Sequence, residues 1–431
     1  MTTPQTTRTD DARAEAAVDT LIVNISELVT LAGPNDRPRR GQALSDLGLV
    51  QGGAVALSGE TIVAAGPQAH VLERIKQTPG TRVIDATGCT VTPGLIDPHT
   101  HLVFGGTREY EFVQRLEGKS YAEILAAGGG IHNSVTMTRQ ATREQLAANG
   151  RLALKRMLAN GTTTLEAKSG YGLDLETEIK QLEAIAQLAN EGPQEILATF
   201  MGAHAVPKGQ DGDAFVDDLI ARILPEVARR GLARYCDVFC EKGVFTPAQT
   251  ERICLAAQGH GLGVRIHADE LNDLGGGALA VKLGAASADH LLMTGDDSIE
   301  ALAKSNTVAV MLPGTPFFLG MAERAPARRM IEAGVAIAIG TDFNPGSSFS
   351  ESMPMMMTLA ALHLKMTPAE ALAASTINAA HSLGIADRVG SLEAGKQADL
   401  VVWEIPNHAH LAYHFGVQLT RHVIKKGALV L

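Results

Sequence analysis

The stretch Gly94-Leu95-Ile96-Asp97-Pro98-His99-Thr100-His101 sets a short apolar run directly before two histidines two positions apart. In extended chain, residues two apart project from the same face, so both imidazoles can reach one point. Alone, such a pair reads equally well as two ordinary polar residues on a strand. Its weight comes from recurrence. β-like runs at 163–166, 196–200, 236–240, 264–266, 286–289 and 335–339 also end in ionisable or polar side chains. These are Lys168 and Tyr171, His204, Glu241, His267 with Glu270, His290, and Asp342. A further run, 308–312, has no such ending. Helix-length segments lie between, including 144–160 and 174–191, where Ile179, Leu182, Ile185 and Leu188 repeat at three- and four-residue steps.

Strands alternating with helices imply a parallel sheet buried on both faces. Eight such units over 91–389 predict an α/β fold, a (β/α)8 barrel of the TIM type, with an open doubly wound sheet as the alternative. In a barrel, side chains just past the strand C-termini share one active site.

Outside this span the texture changes. Val/Ile-rich runs broken by Gly, Asp and Asn occur at 21–25, 54–57, 61–64 and 82–84, and again at 398–403, 422–424 and 428–430. Neither end has enough apolar area to stand alone, so 19–90 and 390–431 are expected to build one small β-sandwich-like domain. Residues 1–18, rich in Thr and charge, read as a disordered tail.

Composition narrows the function. Over 431 residues, 37 Lys+Arg against 47 Asp+Glu give a net charge of −10, which argues against a nucleic-acid surface. No apolar run reaches the ~18 residues a membrane span needs, and the first twenty residues lack a secretory apolar core. Cys89, Cys236, Cys240 and Cys254 are too few and too unevenly spaced for a disulfide framework. The expectation is a cytoplasmic protein acting on a small molecule, without membrane or nucleic-acid partners. The glycine clusters 128–130 and 275–277 match no phosphate-loop pattern and read as turns and helix entries. Residues 353–357 (Met-Pro-Met-Met-Met) read as packing on a helix, and His408, His410 and His414 as surface or structural.

The chemistry lies at the strand ends. His99, His101, His267 and Asp342 supply imidazole nitrogens and one carboxylate, a set that suits a single Zn²⁺ or Fe²⁺ with a position left for water. Glu270, three residues after His267, is placed either to shuttle a proton beside that water or simply to start a helix. Asp269 between them reads as a supporting or surface residue. His290 is either catalytic or a core histidine. Arg108, in Gly105-Gly106-Thr107-Arg108-Glu109-Tyr110, forms an ion pair with Glu109 or Glu111, or offers a planar fork to a substrate carboxylate.

These residues resemble the amidohydrolase superfamily and, within it, the imidazolonepropionase family of cyclic-amide hydrolases in histidine degradation. The resemblance runs from about Leu21 to the C-terminus. It rests on DPHTH (97–101), GGTREYEFVQRLEGKSYAEI (105–124), EAKSGYGL (166–173), HADE (267–270) and TDFNPGSS (341–348). It implies metal-dependent hydrolysis of 4-imidazolone-5-propanoate to N-formimidoyl-L-glutamate by a homodimer holding one zinc or iron (Fe²⁺/Fe³⁺) ion on His99, His101, His267 and Asp342. Arg108, Tyr121, Tyr171, His204, Glu270, Asn344, Gly346 and Ser347 are implied substrate contacts, with Tyr121 helping to bind the propionate. Asp342 or His290 would take the proton of the attacking water, His290 would face the tetrahedral oxyanion, and Glu270 would protonate the departing ring nitrogen. Lys168 sits where two-metal members carry a bridging carboxylated lysine, but KSGYGL is usual in this single-metal family, so Lys168 is given no ligand role. A deaminase of an amino-heterocycle and a non-enzymatic barrel are the rival readings. A neutral base gives Arg108 no carboxylate to hold, and a scaffold has no need of four intact ligands.

Overall fold

The structure, a computed structural model, describes residues 16–119, 123–124 and 128–431. Eight parallel strands follow in chain order around the barrel: Leu95–Asp97, Thr162–Lys168, Glu195–Ala203, Tyr235–Cys240, Gly263–Ala268, Ser287–His290, Val308–Met311 and Ile337–Ile339. Each expected run is found as a strand. The first and eighth strands are joined beyond their ends by a parallel bridge between Thr100 and Phe343, with Asp342 N–H donating to His99 O and His101 N–H to Phe343 O. That closure brings the H-x-H segment and Asp342 side by side.

Helices cover the strands where periodicity placed them. Arg143–Ala159 starts at a capping box formed by Thr142 and Gln145, and Leu175–Glu191 starts at Asp174, whose side chain accepts from Thr177 N–H at 2.8 Å. Gly130 and Gly275 sit at helix entries with φ of 75° and 72°, conformations that glycine adopts at little cost. The methionine run lies on Met353–Leu364, with Met353, Met356 and Met357 buried. The four cysteines are free and buried.

The termini build the second sheet. It runs Ala428–Leu429, Thr420–Lys425, Leu400–Trp403, Thr90–Pro93, Thr20–Val29, Leu49–Ser58, Thr61–Pro67, with Arg82–Asp85 also paired to Thr20–Val29. One face buries Ile22, Ile25, Val55, Val91, Leu400 and Val402. A Cβ at Gly94, the single residue between this sheet and the barrel, would lie 2.2 Å from Thr163 Oγ1, so the crossing admits only glycine. The expected tail at 1–18 falls outside the described residues up to position 15. Residues 16–18 are no tail: Ala16–Ala17 pairs in parallel with Ile75–Lys76, because Val18 buries itself against the cluster containing Val71 and Ile75. Among the described residues no helix is long and apolar enough to cross a membrane.

Candidate metal centre and active site

The ring nitrogens of His99, His101 and His267 converge within 4.8 Å of one another, and those of His99 and His290 lie equally close to an Asp342 oxygen. Asp342 Oδ1 is 3.5 Å from His99 Nε2 and 3.6 Å from His101 Nε2. His99 Nε2 and His267 Nε2 are buried without a hydrogen-bond partner among the described residues. Buried polar atoms almost always find one, so these orphaned nitrogens fit a cation that three imidazoles and one carboxylate would hold. Burial lowers His99 and His101 well below the ordinary imidazole range, leaving the neutral form that binds metals.

What aims these rings lies one layer down. His99 Nδ1 donates to Asp289 Oδ2 at 2.6 Å, and His267 Nδ1 to Asp237 Oδ1 at 3.0 Å, so each ring presents Nε2 upward. Lys168 Nζ donates to Asp237 Oδ2 at 2.7 Å and to Glu166 Oε1 at 2.6 Å, while Arg265 Nη2 donates to Asp289 Oδ2 at 3.3 Å. All five of these charged groups are fully buried. Burial works against the Lys168 charge, but Asp237 and Glu166 outweigh it and hold the ammonium above its ordinary range. Lys168 thus lies beneath the cluster as the counter-ion of Asp237 and Glu166. The missed residues, Glu166, Asp237, Arg265 and Asp289, carried one legible signal: charges inside otherwise apolar strand runs. We expect Asp237→Asn to weaken zinc binding about 10–100-fold, measured by competition with a chelator. Unchanged affinity would mean that Asp237 does not orient His267.

Backbone strain gathers at the same rim. Asp269, His290 and Asp342 have φ of 50°, 76° and 51°, the left-handed region that non-glycine residues rarely occupy, and each ends or follows a barrel strand. Asp269 is no surface residue: its buried carboxylate accepts from Leu274, Gly276 and Gly277 N–H and from Thr294 Oγ1. Glu241, ending the fourth strand, accepts from Leu271 and Asn272 N–H. Together they brace the turn carrying Glu270, whose Oε2 is 3.7 Å from His290 Nε2. Burial, with Asp342 and Glu241 alongside, pushes the Glu270 carboxyl up to about 8. That environment favours its protonated form near neutral pH. Asp342 has its second oxygen fixed by Thr315 Oγ1 at 2.5 Å. Thr315 follows the seventh strand, the one whose end carried no polar signal in the sequence.

His204 stacks on His101 at 4.8 Å between ring centroids, and Tyr171 lies 5.2 Å from His204. Burial, reinforced by His267, pushes His204 down to about 3, and burial raises the Tyr171 phenol. Both are neutral wall residues near neutral pH. Across the mouth, Asn344 Oδ1 accepts from Gly346 N–H and Ser347 N–H, both at 2.8 Å. A Cβ at Gly346 would sit 1.3 Å from Arg108 Nη2, so only glycine lets the guanidinium lie on this turn. Arg108 Nε is 3.6 Å from Glu111 Oε2 and, although buried, has no hydrogen-bond partner among the described residues. The pairing with Glu111 read from the sequence exists, but it is loose and buried rather than a surface bridge. Tyr121 lies outside the described residues. His408, outside the site, donates to Glu27 Oε1 at 2.8 Å in the terminal sheet.

A family model described as the amidohydrolase family matches residues 90–430. The imidazolonepropionase of Shouchella clausii (strain KSM-K16) is 51% identical over 407 residues, covering 94% of this chain and 91% of that one. That of Geobacillus kaustophilus (strain HTA426) is also 51% identical, covering 94% and 96%. The chain belongs to the amidohydrolase family, among its imidazolonepropionases. Solved amidohydrolase-like structures share the architecture at lower identity. A zinc-bound adenosine deaminase from Xanthomonas campestris superposes with a TM-score of 0.68 at 21% identity, covering 97% of this chain and 94% of its own. A zinc-bound variant of atrazine chlorohydrolase from Arthrobacter aurescens TC1 gives 0.66 at 19%, covering 96% and 95%. These neighbours speak to the fold alone.

Proposed function

We propose that this family member hydrolyses the ring amide of 4-imidazolone-5-propanoate to N-formimidoyl-L-glutamate, a ring-opening step in histidine degradation. One observation carries the reading: a buried three-histidine, one-aspartate cluster shares its barrel mouth with a guanidinium laid on Gly346 whose Nε lacks a partner. Hydrolysis of an amide calls for the first, and a ring with a carboxylate tail calls for the second.

His99, His101, His267 and Asp342 would hold one zinc or iron ion, which when bound supplies Lewis acidity and lowers the pKa of a water toward ~7. Asp342, with Oδ2 tied to Thr315 and Oδ1 facing the histidines, accepts the proton of the attacking water. His290, held beside Glu270, faces the carbonyl oxygen as it becomes an oxyanion. Glu270 delivers its proton to the ring nitrogen as the C–N bond breaks, so the nitrogen leaves neutral. Arg108, with Asn344, Gly346 and Ser347, fixes the propionate tail, and Tyr171 with His204 walls the ring from water. Tyr121 belongs to the same substrate-binding set. A cytoplasmic homodimer accompanies this reading.

The tail contact gives the test. Arg108→Met is expected to lower kcat/KM for 4-imidazolone-5-propanoate by about 10²-fold, mostly through KM, because charge-assisted hydrogen bonds to the carboxylate are lost. Steady-state kinetics on metal-loaded protein measure it. An unchanged kcat/KM would sink the assignment of the tail and shift attention to uncharged rings such as guanine.

A further inference from the structure

The helix Glu109–Leu116 carries a second guanidinium to the same turn. Arg115 Nη1 donates to Gly346 O at 3.5 Å, while its Nη2 is buried and has no hydrogen-bond partner among the described residues. Its Cζ lies 5.4 Å from the Phe318 ring and 5.8 Å from the Phe112 ring, and these two rings stack on one another at 5.2 Å. The aromatic pair holds the guanidinium plane through cation–π contact. Phe318 belongs to Gly314–Leu319, the helix that also supplies Thr315 to Asp342.

The corner therefore gathers two guanidiniums on Gly346, each with a buried N–H that finds no acceptor among the described residues. Glu111 offsets them only in part: its Oε1 accepts from Gly130 N–H at 3.0 Å and from Tyr110 O–H at 3.3 Å, and its Oε2 stops 3.6 Å from Arg108 Nε without forming a hydrogen bond. Glu109 is turned to the exposed side, where Thr107 Oγ1 donates to it. Orphaned donors in pairs beside a cationic surplus suit an acceptor with two oxygens and a negative charge.

We infer that Arg115 is a substrate-binding residue, the second arm of a two-arginine clamp that, with Arg108, grips the carboxylate tail of the ring substrate. The inference rests on the proposed hydrolase reading and deepens it, because it assigns specificity for tailed over untailed rings to a residue on the helix covering the mouth. With Arg108 and Arg115 both set against Gly346 of the Asn344-organised turn, a tail too short to reach Gly346 leaves both N–H groups buried and unpaired. Such mismatches discriminate more strongly than missing apolar contact does.

The test uses metal-loaded full-length protein and two competitive inhibitors, 3-(imidazol-4-yl)propanoate, which has the tail, and 4-methylimidazole, which does not. Arg115→Met is expected to raise KM for the imidazolone and Ki for the tailed acid about tenfold or more, with kcat within about twofold and Ki for 4-methylimidazole unchanged. Arg115→Lys, which keeps the charge and the stem but loses the fork, is expected to weaken the tailed acid by a smaller factor. It serves as the variant of record should Arg115→Met fail to fold. Equal weakening of both inhibitors would make Arg115 a structural prop for Phe112 and Phe318, and no weakening of either would remove it from the site. Both outcomes overturn the inference while wild-type turnover of the imidazolone stands. Absence of wild-type turnover would instead remove the hydrolase reading on which it rests.

Discussion

Asp342→Asn is expected to purify with well under one metal ion per chain and to lose turnover by at least ~10³-fold. The substitution keeps size and shape, so Thr315 retains an oxygen or amide to bond, but the cluster loses its only anionic donor. Three neutral imidazoles then face a cation without charge compensation. Below them, the buried network counts three carboxylates (Glu166, Asp237, Asp289) against two cations (Lys168, Arg265), a net of 2 − 3 = −1. That residual charge favours a cation above it, which is why some metal is expected to remain. The proton acceptor for the attacking water is lost along with the ligand, so restoring metal by dialysis is expected to recover occupancy without recovering rate. Elemental analysis paired with kcat separates the two. Full recovery of kcat in the reloaded variant would show that Asp342 is a ligand only, and would pass the role of base to His290.

The second large effect concerns Glu270. Glu270→Gln removes the proton that the departing ring nitrogen needs, and we expect kcat to fall by ~10²–10⁴-fold with KM changed little. Its pH behaviour follows from burial and the neighbouring Asp342 and Glu241 carboxylates, which push the group up to about 8. A raised carboxyl is protonated below that value, so wild-type kcat is expected to hold near neutrality and to decline as pH rises through about 8. In the variant, no group at this position titrates, and the alkaline decline disappears from the residual rate. The kcat–pH profiles of both proteins decide it. An alkaline limb of the same shape in Glu270→Gln assigns that titration elsewhere.

How much of this was legible in the sequence differs by kind of interaction. Strand positions could be read because a parallel barrel strand is buried on both faces, which leaves apolar runs such as 308–312 that few other structures tolerate. That these side chains meet could be read because strand ends converge by symmetry, so His99, His267 and Asp342, up to 243 positions apart (342 − 99), need no fold calculation to be placed together. The supporting layer was harder. Asp237 and Asp289 look like isolated charges in apolar runs, and nothing local says that His267 and His99 hang on them. Arg115 and Thr315 were illegible for a different reason. Their roles depend on a helix–turn contact across the barrel mouth, where side-chain direction, not chain periodicity, decides what meets. Asp269 could be read only as far as a supporting or a surface residue; its four donors come from the following turn and from Thr294, a local clamp that decides for support and that residue type alone does not announce.

The central claim is that a metal held by three histidines and Asp342 serves ring opening of a carboxylate-tailed imidazolone. The most direct test follows the ultraviolet loss of freshly generated 4-imidazolone-5-propanoate, under anaerobic conditions, on protein whose metal content has been quantified. The account predicts rapid loss with about one zinc or iron per chain, abolished by chelation and restored by metal. A protein that carries its metal and leaves the imidazolone ring intact would contradict it.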